Sequence, residues 1–205
     1  MVVQQFVNSI FKSNTYLLSS LESERVWCID PGDSAPILQW LAANHKVLYG
    51  ILVTHAHFDH IYGMNELLKS FPSVSIYISE YGAEGLTCDK LNGSRYTDTP
   101  LTVRHDRIEI VKENSQVELW ENQVMDVWDT PGHNRDCITF YIPNMVFTGD
   151  ALIPGIKVVT KTKYSDKETA AKSVQKILSR TMPETIIYPG HDQSCTMGKC
   201  KIVVQ

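Results

Sequence analysis

The sequence predicts an α/β protein with two β-rich halves and helices outside them. Three observations carry that expectation. Short apolar runs bounded by turn residues recur through both halves, a pattern of strands followed by helix occurs twice, and no repeat, low-complexity tract or linker-like run divides the chain.

Residues 2–7, 15–18 and 26–29 read as strands, the last stopped by Asp30-Pro31-Gly32-Asp33. A helix fits 35–44, with Ser34 or Asp33 as its cap, Pro36 in the first turn, and Ile37, Leu38, Leu41 and Ala42 at helical spacing. Residues 47–53 read as a buried strand that runs straight into Thr54-His55. Met64, Leu67, Leu68 and Phe71 form a helix face ended by Pro72, and 74–78 is another strand. The second half is mostly strand, at 108–111, 116–120, 124–128, 137–142 and 145–147, with Pro143-Asn144 as a hairpin turn. A last helix starts at Ser165-Asp166-Lys167-Glu168, where Ser165 and Glu168 satisfy free amides as a capping box. Its apolar face is Ala170, Ala171, Val174, Ile177 and Leu178, Pro183 ends it, and a strand follows at 185–188. The stretch 82–107 has no assignable pattern and reads as a lid over a site or an irregular surface loop.

At 205 residues, with a net charge of −4, 43% hydrophobic and 20% charged residues, the chain has the composition of a globular protein, and a single domain over 1–205 is the default. A pI near 6.0 leaves no electrostatic footprint for nucleic acid or anionic lipid, so neither is expected as a partner. No run approaches the roughly 20 apolar residues that span a membrane, and Met1-Val2-Val3-Gln4-Gln5 lacks the basic start of a signal peptide; a cytoplasmic location is expected. The five cysteines are scattered and form no C-x-x-C pair, which argues against a disulfide framework or a thiolate cage. Cys195 and Cys200 are expected as two reduced thiols of a free tail. Trp27, Trp40, Trp120 and Trp128 read as core residues, and His45 and His105 as surface histidines. Any metal must be held by imidazole and carboxylate.

The remaining histidines fall at strand ends. His55-Ala56-His57-Phe58-Asp59-His60 follows a buried strand, and with a spacing of two His55 and His57 point the same way in an extended segment and can share one ion. Asp59 and His60 lie just beyond the turn and could face a neighbouring ion. His133 in Pro131-Gly132-His133, Asp150 in Thr148-Gly149-Asp150 and His191 in Pro189-Gly190-His191 each follow an expected strand and a glycine that permits close backbone approach. A chance cluster in a solvated loop explains one such motif, but not four.

This ordered set, T-H-x-H-x-D-H, P-G-H, T-G-D and P-G-H, resembles the metallo-β-lactamase superfamily, and within it the glyoxalase II-like (hydroxyacylglutathione hydrolase-like) metallo-hydrolases. The resemblance spans residues 14 to 191 and includes Ile29-Asp30-Pro31-Gly32. It implies a four-layer αββα sandwich with the site at one end of two sheets. It further implies that His55, His57 and His133 hold a first metal, that Asp59, His60 and His191 hold a second, and that Asp150 bridges them. Asp30 orients the ligating imidazoles on this reading; it also fits the start of an Asx turn. Nitrogen and carboxylate ligands suit two divalent ions, zinc first and iron or manganese also. Two ions about 3.5–4 Å apart lower the pKa of a shared water to about 7, which gives a metal-bound hydroxide that attacks a carbonyl. Asp59 and Asp150 are the carboxylates expected to take part in catalysis. The expected reaction is hydrolysis of a small thioester or ester.

Two departures from the family bear on substrate. The chain runs 14 residues past His191 and is expected to lack the C-terminal helical extension that contributes to glutathione binding. The third motif continues as Asn134-Arg135-Asp136-Cys137 instead of T-x-G, and 156–164 carries Lys157, Lys161 and Lys163, which could bind an anionic group or simply face solvent. Both point away from a glutathione thioester. The alternatives are a persulfide dioxygenase with one iron held by two His and an Asp, a phosphodiesterase, and a non-catalytic metal-binding module. The net charge counts against a nucleic-acid phosphodiesterase, and the full ligand set against the module.

Overall fold

A computed structural model describes residues 1–120 and 122–204. The chain divides into two compact units, Met1–Ile110 and Val111–Gln205, each built on one six-stranded sheet.

In the first unit β1 (Val2–Val7), β2 (Asn14–Ser20), β3 (Ser23–Ile29), β4 (Val47–Leu52), β5 (Ser75–Ile78) and β6 (Ile108–Ile110) lie side by side in chain order. The first three form an antiparallel meander, and from β3 onward every pairing is parallel. Parallel neighbours need crossovers, and helices supply them: α1 (Ser34–Ala43), α2 (Phe58–Ile61) with α3 (Met64–Ser70), and α4 (Glu80–Leu86). Ile37 and Leu41 of α1 and Leu67 and Leu68 of α3 pack on Val26, Ile51 and Ile76 of the sheet. Burying each such side chain contributes about 1.5–3 kcal/mol. Because β3, β4 and β5 run the same way, Asp30 and Thr54 leave the sheet at one edge.

One local expectation, the α1 cap, holds in position but not in its bonding, and three others are corrected here. Asp33 occupies the cap position of α1 without bonding a first-turn amide; its carboxylate accepts instead from Ser9 N (2.7 Å), Ser9 Oγ (2.8 Å) and the Tyr62 hydroxyl. Burial raises the Asp33 carboxyl, but these bonds outweigh it and hold the group below its ordinary range, while burial and the bond to Asp33 push Tyr62 up to about 12. Asp59 and His60 sit on α2, a single helical turn, and not beyond a turn. Within 82–107 the chain is ordered around a buried amide: Asn92 Nδ2 donates to Gly85 O (3.1 Å) and Leu101 O (3.0 Å), and Val103 is part of the core. His105 is half-buried with a ring nitrogen 2.6 Å from Val74 O, whereas His45 is exposed as expected.

In the second unit the sheet runs β12 (Cys195–Thr196), β11 (Ile186–Pro189), β10 (Met145–Gly149), β9 (Ile138–Ile142), β8 (Gln123–Asp129), β7 (Gln116–Trp120). β7 to β10 are antiparallel, and the chain crosses through α5 (Lys167–Arg180) to place β11 parallel to β10. Thus β8, β10 and β11 share a direction. Ala170, Val174 and Ile177 of α5 pack with Trp128, Val146 and Ile187. The hairpin at Pro143-Asn144 is as predicted, with Asn144 at φ 67°. The α5 cap is Asp166, whose carboxylate accepts from Thr169 N (2.7 Å), and not Ser165, whose hydroxyl donates to His133 O (2.8 Å). Trp27 and Trp128 are buried, and Trp40 and Trp120 half-buried.

The expectation of reduced thiols in a free tail is overturned. Cys195 and Cys200 form a disulfide, because the short 3-10 turn Met197–Lys199 folds their Cα atoms to 6.1 Å, within disulfide reach. Met197 N donates to Thr185 O and Gly198 N to Pro183 O, both at 2.8 Å, so the segment is a sheet edge and not a free tail. Among the described residues no helix is long and apolar enough to cross a membrane.

Candidate functional site

In the first unit the expected ligands leave β4 as Thr54-His55 and continue into α2. His55 and His60 are fully buried and Asp59 nearly so, while His57 is half-buried at the position preceding α2. His55 Nε2 and His57 Nδ1 lie 3.1 Å apart, the convergence that the spacing of two requires. His60 Nε2 is 3.5 Å from Asp59 Oδ2. Asp30, His55 and His60 each offer a ligand atom within 4.8 Å of the others. Ser13 Oγ donates to Asp59 O (2.6 Å) and fixes the turn from behind.

Asp30 organises this group. It adopts φ 50° and is 2% exposed, and its Oδ1 accepts from Thr54 N (2.7 Å) while Oδ2 accepts from Thr54 Oγ1 (2.6 Å). The same Oδ2 lies 3.1 Å from His60 Nδ1. A carboxylate only accepts, so the proton of His60 sits on Nδ1 and the lone pair on Nε2. The Thr54 hydroxyl gives its one proton to Asp30; toward His55 Nδ1, 3.1 Å away, its oxygen is the acceptor. One carboxylate therefore sets two tautomers, directly for His60 and through Thr54 for His55. This is the orienting role, and Thr54, the first residue of the T-H-x-H-x-D-H motif, shares it.

The ligands expected in the second unit stand at the ends of its three co-directional strands. His133 follows β8, Asp150 follows β10 and His191 follows β11, with Gly190 N bonded to Gly149 O (2.8 Å). Asp150 Oδ2 lies 3.5 Å from His133 Nε2 and 3.5 Å from His191 Nε2. His133 Nδ1 donates to Val159 O (2.9 Å), so its Nε2 lone pair faces the carboxylate. A lone pair turned onto a carboxylate oxygen is repulsive until a cation comes between them. The donor set thus fits a divalent ion such as zinc, iron or manganese.

The loop carrying His133 is clamped by α5. Ser173 Oγ donates to Pro131 O (2.6 Å) and Asp166 N to Gly132 O (2.9 Å). Gly132 is at φ 136°, and a Cβ there would lie 2.3 Å from Ala170 Cα, so only glycine fits. Lys157, Lys161 and Lys163 are exposed, but the segment between them is not merely solvated: Val158 is buried, and Val159 supplies the His133 acceptor. Nothing in the sequence marks a backbone carbonyl for such a role.

The sequence profile of the metallo-beta-lactamase superfamily matches residues 11–191. The chain belongs to that superfamily, and its fold class is the expected one. It is 30% identical over 171 residues to a hydroxyacylglutathione hydrolase of Hydrogenovibrio crunogenus, covering 83% of this chain and 55% of that protein. The chain thus spans about half the length of the curated relatives it matches first, with shares of 55%, 52% and 62%. Among solved structures it is similar to the BLEG-1 B3 metallo-beta-lactamase, with a TM-score of 0.88 at 26% identity over 97% of this chain and 95% of that one. It is also similar to ETHE1 from Myxococcus xanthus, with a TM-score of 0.75 at 25% identity over 97% and 81%.

Proposed function

We propose that the chain is a metal-dependent hydrolase of small thioesters or esters. In this reading His55, His57 and His133 would hold one divalent ion, Asp59, His60 and His191 a second, and Asp150 would be shared by both. The single observation that carries it is the equal 3.5 Å approach of His133 Nε2 and His191 Nε2 to one oxygen of Asp150. Bound ions would supply Lewis acidity and a water with a pKa near ~7.

The protein's own residues do the rest. Asp30 and Thr54 hold His55 and His60 in the tautomer that ligates, and Val159 O does the same for His133. On this reading Asp59 would orient the attacking water in addition to its ligand role. The substrate is a small molecule, and zinc is the first candidate ion.

The likeness to ETHE1 supports a second reading, a mononuclear iron persulfide dioxygenase. One experiment separates the two: metal quantification on the purified protein, joined to a turnover screen over thioesters, lactones and phosphodiesters with oxygen uptake recorded. Two equivalents of metal and thioester or ester cleavage are expected. One iron per chain with oxygen consumption overturns the hydrolase reading.

A further inference from the structure

The first unit holds a cavity of ≈ 460 Å³ at the end of its sheet away from the histidine cluster. Its walls are the starts of β4 and β5, the connection from α3 to β5, and Arg107, the residue before β6. These three strands are parallel, so the cavity lies at the opposite end from Thr54-His55. Tyr49 stands five positions before Thr54, about 16 Å at 3.3 Å per residue. The volume is in the range that small-molecule sites occupy.

Two local features shape its aromatic wall. The β3–β4 register shifts between Val26 opposite Leu48 and Trp27 opposite Gly50, which leaves Tyr49 as an extra residue, and a bulge of this kind re-aims a side chain. The Trp27 ring fills the space beside Gly50, where a Cβ would lie 2.2 Å from it, so only glycine fits. Tyr49 and Tyr77 both rest on Trp27, at centroid distances of 5.6 Å and 5.4 Å, and both line the cavity. The Arg25 guanidinium, 4.3 Å from the Tyr49 centroid, helps to hold that ring.

The chemistry of the lining is one-sided. It contains Arg107 and no carboxylate, in a chain whose net charge is −4. Among the described residues Arg107 has no ion pair, and the hydroxyls of Tyr49, Ser73, Ser75 and Tyr77 have no hydrogen-bond partner. Burial first, then the Glu109 carboxylate and Tyr49, push the Tyr77 phenol above its ordinary value, so at neutral pH it keeps its proton and can donate. Glu109 is paired with Tyr77 across β5 and β6 but does not line the cavity. Donors without acceptors and a cation without a counter-ion suit an anion, and aromatic walls suit a flat ring.

We infer that this cavity is a second binding site, separate from the histidine cluster, for a small aromatic carboxylate: one or two fused rings against Tyr49 and Tyr77, and a carboxylate on Arg107. The planar guanidinium matches a carboxylate with two parallel bonds, and the free hydroxyls complete its shell.

The test is titration of 2-naphthoate into the metal-loaded protein, followed in amide nitrogen–proton NMR spectra. Saturable shifts are expected at Tyr49, Ser73, Ser75, Tyr77 and Arg107, with a Kd on the order of 0.1–1 mM. The neutral 2-naphthamide should bind about 10-fold more weakly, as should 2-naphthoate to Arg107→Gln. Tyr49→Leu should weaken binding roughly 3- to 10-fold. Arg107 and Tyr49 are exposed, so both variants should keep the wild-type spectrum elsewhere. The absence of saturable shifts up to about 5 mM overturns the inference. So do shifts confined to His55, His57 and Asp59, which would mean that the carboxylate binds at the metal ligands. Equal binding of 2-naphthamide, or wild-type affinity in Arg107→Gln, overturns it as well.

Discussion

His60 Nδ1 lies 3.1 Å from Asp30 Oδ2, with both side chains almost completely buried. The contact joins the end of β3 to the α2 turn and fixes which nitrogen of His60 carries a proton. Asp30→Asn keeps the shape but replaces an acceptor with an amide that also donates. Metal affinity is expected to fall about 10–100-fold with the far-UV spectrum preserved. Chelator competition measures this, and an unchanged affinity would remove Asp30 from the orienting role.

Asp150 offers one oxygen to two imidazoles, so on the proposed two-ion reading its loss should reduce the binding of both ions. Asp150→Ala is expected to lower turnover at least about 100–1,000-fold and to reduce bound metal. Turnover near the wild-type level, with metal content measured in the same preparation, would refute the bridging assignment.

Glu113 ties three segments together. Its Oε2 accepts from Asp129 N (2.7 Å) and Lys176 Nζ (2.6 Å), and its Oε1 from Arg180 (2.9 Å). Burial raises this carboxyl, but the three bonds outweigh it and hold the folded-state pKa below the ordinary value. A depressed carboxyl stabilises the fold above its unfolded pKa, about 4.3, and that contribution is lost as pH falls through the folded value. Glu113→Gln should therefore be less stable than wild type at pH 7, and the gap should close below about pH 4. Urea melts at both pH values test it; a gap independent of pH would mean the bonds act through shape and not charge.

The Cys195–Cys200 bridge closes a short loop at the sheet edge, four residues beyond His191. In the chain-entropy account a loop of this size contributes about 2 kcal/mol. Cys195→Ser and Cys200→Ser should each lower Tm by several degrees and leave hydrolytic turnover largely intact. A large loss of turnover at a temperature where the variant is folded would connect the edge to the site.

The strands and the candidate site residues were legible because both are written in side-chain chemistry. Short apolar runs bounded by turn residues mark β2, β8 and β9, and His or Asp after a strand end marks His55, Asp150 and His191. What escaped was carried by groups with no residue-type signature. Val159 holds His133 through a carbonyl, which any residue would present. The helix α4 was hidden because Gly82 and Gly85 lower helix propensity. Gly85 is there for another reason: a Cβ would lie 2.7 Å from that of Ala56, between His55 and His57. The α5 cap was assigned one residue early because Ser165 fits the capping pattern, but its hydroxyl is engaged by His133 O. The disulfide was missed because two cysteines five apart show no pairing until the turn between them is known.

The Pro143-Asn144 hairpin opens at the opposite end of β10 from Asp150, with both turn residues exposed. Five residues of strand separate them, about 17 Å at 3.4 Å per residue. An exposed turn of this kind tolerates inserted sequence. It is thus a natural attachment point: a fluorophore or an affinity handle placed there would anchor the protein to a surface with the ends of β8, β10 and β11 turned outward to solution.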